Sequence, residues 1–99
     1  MKLVGVSQRV DIYSQRRETR DALDQRLVLW LTSCGYTPAP VPNILGSGIT
    51  DWLNTLKPEA FVLSGGNDIG KCLERDATEI ALLSYAKNYS LPVLAICRG

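Results

Sequence analysis

The stretch Ala60-Phe61-Val62-Leu63-Ser64-Gly65-Gly66-Asn67-Asp68, answered downstream by Pro92-Val93-Leu94-Ala95-Ile96-Cys97-Arg98-Gly99, decides the fold. Each half is a short apolar run closed by turn-forming residues, the pattern of a strand buried on both faces of a parallel sheet. Between them, Asp76 followed by Glu79 makes a capping-box-like start. Ala77, Ile80, Ala81 and Ser84, flanked by Leu83, then continue one helical face to about Asn88. Strand, helix and strand in that order form a crossover unit, which predicts an α/β domain built on a parallel sheet with flanking helices.

Working upstream, Tyr36–Pro42 carries Pro38, Pro40 and Pro42 at alternate positions, so their missing N–H groups face one side and the segment reads as an edge strand or an extended segment. After Gly46-Ser47-Gly48, Thr50 is placed to cap a short helix carrying Leu53 and Leu56, with Trp52 packing nearby and Lys57-Pro58 ending it. From Arg20 to Cys34, Leu23, Leu27, Trp30, Leu31 and Cys34 form one helical stripe, and Gly35 stands where a helix stop is expected. Residues 8–19 are polar, lack Gly and Pro and show no sustained period, so they read as a loop. Leu3–Ser7 suits a buried strand, although so short a run leaves a helix open by periodicity alone.

Composition bounds the function. Ninety-nine residues that are 45% hydrophobic and 21% charged make about one small domain, and a formal charge of +1 gives no electrostatic footprint for nucleic acid. Cys34, Cys72 and Cys97 are odd in number, and with no histidine they form no mixed zinc set, so reduced thiols and no metal or cofactor are expected. No stretch approaches the roughly 20 apolar residues of a membrane span and the N-terminal apolar run is short for a signal segment, so a cytoplasmic protein with no membrane partner is expected.

Chemistry concentrates where strands end. In open α/β sheets, sites lie beyond the carboxyl ends of the strands, and both Ser64-Gly65-Gly66 and Cys97-Arg98-Gly99 fall on that rim. A helix after Gly99 would favour the Cys97 thiolate by its N-terminal partial charge and leave the Arg98 N–H free for an oxyanion, with a second donor from the Gly65-Gly66 loop. Cysteine is also among the most buried residue types, so a purely structural Cys97 stays open at this point. Gly65 to Cys72 also reads G-x-x-x-x-G-K with Cys72 in place of the Ser or Thr of a phosphate loop. A thiol is a soft ligand for a hard cation, and a helix starting at Asp76 is too late for Lys71 to open it.

Leu94-Ala95-Ile96-Cys97-Arg98-Gly99 closely resembles the nucleophile elbow of the class I glutamine amidotransferase-like superfamily. Cys34 to Pro42, Phe61 to Asp68 and Glu74-Arg75-Asp76 to Glu79 resemble the matching segments of its γ-glutamyl hydrolases. Arg98-Gly99 after the nucleophile is similar to the γ-glutamyl-γ-aminobutyrate hydrolase (peptidase C26) branch. The resemblance implies a flavodoxin-like fold, Cys97 as nucleophile, N–H groups of Arg98 and of Gly65 or Gly66 as oxyanion donors, and Asn67 and Asp68 as rim residues near substrate. It implies attack on a γ-glutamyl amide, release of an amine, and hydrolysis of the thioester to glutamate. The family's base is a histidine positioned by an acidic residue, both well after the elbow, so the chain is expected to be residues 1–99 of one longer domain, cut just past its nucleophile and inactive alone.

Arg9, Asp11, Arg16, Arg17, Glu18 and Arg20 read first as a solvated loop. Beside the same rim, those arginines could meet a phosphate on the leaving group, as in the similar γ-glutamyl-CDP-amidate hydrolases. The expected partner is a small γ-glutamyl substrate, and a homodimer is compatible with the reading. The competing functions are a glutaminase subunit feeding ammonia to a synthetase, and a non-catalytic binding domain.

Overall fold

A computed structural model describes residues 2–65 and 70–96. In chain order these form β1 (Lys2–Val6), β2 (Arg9–Tyr13), β3 (Glu18–Ala22), α1 (Gln25–Ser33), β4 (Tyr36–Pro40), α2 (Ile49–Leu56), β5 (Ala60–Leu63), α3 (Leu73–Asn88) and β6 (Val93–Ala95). Four strands make one sheet in the order β4-β1-β5-β6, every pair parallel, with Gly5 opposite Phe61 and Val62 opposite Leu94. The expected α/β architecture is present. Alternate strand residues face opposite layers. Val4, Val6 and Val62 pack with Leu31 of α1, whereas Phe61 and Leu63 pack with Ile49 and Leu53 of α2 and Leu82 and Ala86 of α3.

β4 is an edge, as its prolines require. The Val41 N–H donates to the Val6 carbonyl at 2.9 Å, so residues one place out of phase, Pro38, Pro40 and Pro42, turn their nitrogens to the unpaired side. Gly35 follows α1 at φ +87°, a left-handed conformation that a side chain would strain, and Lys57 ends α2 at φ 50° before Pro58.

Several local expectations are overturned. Residues 8–19 are not a loop: β2 and β3 pair antiparallel from Arg9–Ala22 to Tyr13–Glu18 around a 3-10 turn at Ser14–Arg16, with Arg17 taking the left-handed position. Their polarity hides the period because most of the hairpin faces solvent on both sides; Val10 is its buried residue. The helical stripe expected from Arg20 therefore begins later, and α1 starts after Asp24, whose carboxylate caps the Arg26 N–H at 2.8 Å. Thr50 is not a cap, because α2 runs on directly from a 3-10 turn at Gly46–Gly48 and Thr50 sits inside it.

The largest correction concerns α3. It begins at Leu73, and its buried face is Arg75, Thr78, Glu79, Leu82 and Ala86, while Ile80 and Leu83 are exposed. Asp76 and Glu79 make no capping box. The Asp76 carboxylate accepts from the Gly70 N–H at 2.8 Å, and Glu79 turns inward to Ser7. Because α3 opens at Leu73 rather than Asp76, helix position no longer counts against a phosphate loop at Lys71; the thiol of Cys72 in the hydroxyl's place still does. β6 was expected in the core, but its three residues are all exposed.

Candidate active site

β1 and β5 are adjacent strands whose following segments leave toward opposite helical layers, β1 toward α1 and β5 toward α3, the arrangement that opens a crevice at the sheet's carboxyl rim. Here that crevice is filled by buried polar groups. Ser7 is fully buried; its hydroxyl donates to Glu79 Oε2 at 2.9 Å and accepts from the Ser64 N–H at 2.9 Å. The Ser64 hydroxyl returns a hydrogen bond to the Ser7 carbonyl. Each serine thus ties the end of one strand to the other.

Arg75, with no solvent exposure, lies beneath the segment after β5. Its Nη1 donates to the Gly65 carbonyl at 3.0 Å, and its Nη2 donates to the Ser64 carbonyl and to Glu79 Oε2, the latter at 3.2 Å. Desolvating a guanidinium is costly, and it is tolerated where a buried carboxylate and several acceptors converge on it. The Arg75–Glu79 pair is therefore compensated, and it clamps the backbone at Ser64 and Gly65.

Beside the clamp lies a cavity of about 320 Å³ lined by Arg9, Ala22, Asp24, Leu27, Ser64, Gly65 and Ile96. It joins the ends of β5 and β6 to the β2–β3 hairpin and the start of α1, and its size suits a small ligand. Gly65 lines this cavity, and among the described residues nothing accepts from its N–H. Ile96, on the same wall, precedes Cys97 in the sequence. A larger cavity of about 390 Å³ lies against the first half of α3 near Ile44 and Leu73; among the described residues its one charged lining group is Glu74 and its one hydroxyl, Thr78, is tied to the Glu74 carbonyl, so the chemistry points to the smaller one.

The hairpin is fastened to the rim through Asn43. The Asn43 N–H and Nδ2 donate to the two Asp21 carboxylate oxygens at 3.1 and 2.9 Å, and Nδ2 also donates to the Gln8 carbonyl at 3.1 Å. Gln8 Nε2 donates to the Val41 carbonyl at 3.0 Å. Arg9 at the cavity wall is paired with Asp11 at 2.9 Å.

Of the residues expected in the site, Gly65 lies on the cavity wall, and Gly66, Asn67, Asp68, Cys97 and Arg98 lie outside the described residues. Sequence reasoning missed the roles of Ser7, Arg75 and Glu79. A partial signal lay in α3 alone, where 75, 78, 79, 82 and 86 follow helical spacing and a helix between two strands of one sheet must lay a face on that sheet; nothing in the sequence ties Ser7 to that face. Among the described residues no group of three or more His, Cys, Asp or Glu is placed to hold a metal ion, and no helix is long and apolar enough to cross a membrane.

A three-layer parallel α/β protein with a ligand-sized cavity at its strand rim is the architecture of many small-molecule enzymes. The Peptidase C26 family model matches residues 2–99, and the chain belongs to that family, whose members point to a cysteine-dependent hydrolase or amidotransferase type of activity. No curated protein matches the chain.

Proposed function

We propose that the chain is the nucleophile-bearing part of a cysteine-dependent γ-glutamyl amide hydrolase. The observation that carries the reading is Gly65, whose N–H has no acceptor among the described residues, on the wall of a cavity that also holds Ile96, next in sequence to Cys97. The Cys97 thiolate attacks the γ-carbonyl carbon, and the carbonyl oxygen takes the negative charge in a hole made by N–H groups of Gly65 or Gly66 and of Arg98. Collapse expels the amine, which takes up a proton, and water then cleaves the thioester to give glutamate and the free thiol. Asn67 and Asp68 flank the substrate. Both proton transfers need a base that these 99 residues, lacking histidine, do not supply; we assign it to a histidine elsewhere in the reading frame.

The test is glutamate release from L-γ-glutamyl-p-nitroanilide by the product of the full reading frame. Cys97→Ser is expected to lower kcat at least about 1,000-fold. Absence of Cys97-dependent turnover overturns the hydrolase reading, and glutamine turnover only beside a synthetase replaces it with an ammonia-supplying subunit.

The hairpin supports a finer proposal, that the leaving amine bears a phosphate. Arg9 stands at the cavity wall, and Arg16 and Arg17 at the hairpin turn make no ion pair among the described residues. Arg9→Gln is then expected to raise KM for a phosphate-bearing amide by about tenfold while leaving the p-nitroanilide unchanged. Equal effects on both substrates count against it.

A further inference from the structure

We propose that Arg75 is the positioning residue of the oxyanion hole, an inference that rests on the hydrolase reading above. The argument begins with covalent geometry. A trans peptide is planar, so the carbonyl of one residue and the N–H of the next point in opposite directions from one rigid unit. The Ser64 carbonyl is the far end of the unit that carries the Gly65 N–H, and the Gly65 carbonyl is the far end of the next. Arg75 grips both carbonyls with the two arms of one guanidinium, Nη2 on Ser64 and Nη1 on Gly65. Fixing the Ser64 carbonyl from beneath sets where the Gly65 N–H aims, and that N–H, on a residue of the cavity wall, has no acceptor among the described residues.

The grip also acts on donor strength. A cation hydrogen-bonded to a carbonyl draws electron density through the amide and makes its N–H a stronger donor, an effect that grows in a buried, weakly screened setting. Arg75 has no solvent exposure, so its charge is delivered to those amides with little loss to water. Glu79 and Ser7 hold the clamp in turn: Glu79 Oε2 accepts from Arg75 at 3.2 Å and from the Ser7 hydroxyl at 2.9 Å. A lysine can supply the charge but not the planar fork that spans two carbonyls.

The experiment compares wild type, Cys97→Ser and Arg75→Lys in the product of the full reading frame, with L-γ-glutamyl-p-nitroanilide as substrate and iodoacetamide as a second probe. Alkylation of Cys97 needs the thiolate but no oxyanion hole, so it separates the hole from the nucleophile. Arg75→Lys is expected to lower kcat by about 10- to 100-fold, with KM and the Cys97 alkylation rate each within about threefold of wild type. Unchanged kcat, a parallel fall in kcat and alkylation, or a rise confined to KM overturns the inference. Should Arg75→Lys lose its near-ultraviolet circular dichroism, the charge-neutral pair Arg75→Gln with Glu79→Gln is read against the same outcomes. Wild type without Cys97-dependent turnover removes the hydrolase reading and this inference with it, whereas active wild type with unaffected Arg75 variants removes this inference alone.

Discussion

Ser7 has one hydroxyl and uses it twice, donating to Glu79 and accepting from the Ser64 N–H, both from a fully buried position. Ser7→Ala leaves a buried amide and a buried carboxylate oxygen without that partner, and is expected to destabilise the protein by about 1–3 kcal/mol in urea denaturation. A change within error would show that another group satisfies both. Two residues earlier, Gly5 illustrates packing: a Cβ there would stand 2.7 Å from Phe61 Cδ1, and that ring is buried and held edge-on by Tyr85 at 5.9 Å between centroids. Gly5→Ala is expected to cost about 1–3 kcal/mol by overpacking, and a neutral result in the same assay would mean that Phe61 can swing aside. At this scale the sequence exposes what is chemically unusual, such as glycines after a strand or a thiol before Arg-Gly. It does not expose a serine whose importance comes from a neighbour 72 residues away.

Helix α3 shows why elements are harder to read than residues. Its apolar side chains do not mark its inner face, because Arg75, Thr78 and Glu79 share that face with Leu82 and Ala86 while Ile80 points out. Hydrophobic periodicity finds the inner face only where the inside is apolar. Leu82→Ala is expected to cost about 2–5 kcal/mol and Ile80→Lys to stay within about 0.5 kcal/mol, both read by urea denaturation; the reverse order would restore the face drawn from the apolar residues. The hairpin escaped notice for the opposite reason, since a ribbon wet on both sides has no alternation to show. α1 adds a test in pH. Asp24 caps it, and the Arg26 side chain, then the Arg26 N–H, hold the Asp24 carboxyl below the ordinary aspartate range. A carboxyl depressed by folding contributes stability that is complete above its unfolded pKa and lost as pH falls through its folded value. The Arg26 amide resonance should therefore titrate with a midpoint below the ordinary aspartate range, and Asp24→Asn should abolish that titration while keeping the helix start. A midpoint in or above the ordinary range would show that the pair does not persist in solution.

For the whole molecule, the order of apolar runs and helical segments was enough to give a parallel α/β sheet with β4 at an edge, because parallel strands need crossovers and prolines need an unpaired side. The buried clamp was not legible, since it joins α3 to the residues just after β1 and β5, Ser7 and Ser64, which meet it only once the sheet has formed. The sheet also has a consequence for the isolated 99-residue chain. β6 pairs with β5 along one side, yet Val93 and Leu94 remain exposed, and with Trp30 and Tyr36 they border a largely apolar cavity of about 270 Å³ on the α1 side. An exposed strand bearing apolar side chains offers both unpaired backbone groups and a hydrophobic surface to another copy. The chain is expected to bind an environment-sensitive apolar dye such as anilinonaphthalene sulfonate and to self-associate with rising concentration in sedimentation velocity. Replacing Val93 and Leu94 together by Thr keeps β-propensity while removing apolar area, so it should reduce both signals with little change in far-ultraviolet circular dichroism. A chain that stays monomeric and dye-free at every concentration, or a double variant that behaves as the parent does, would place the association surface elsewhere or remove it.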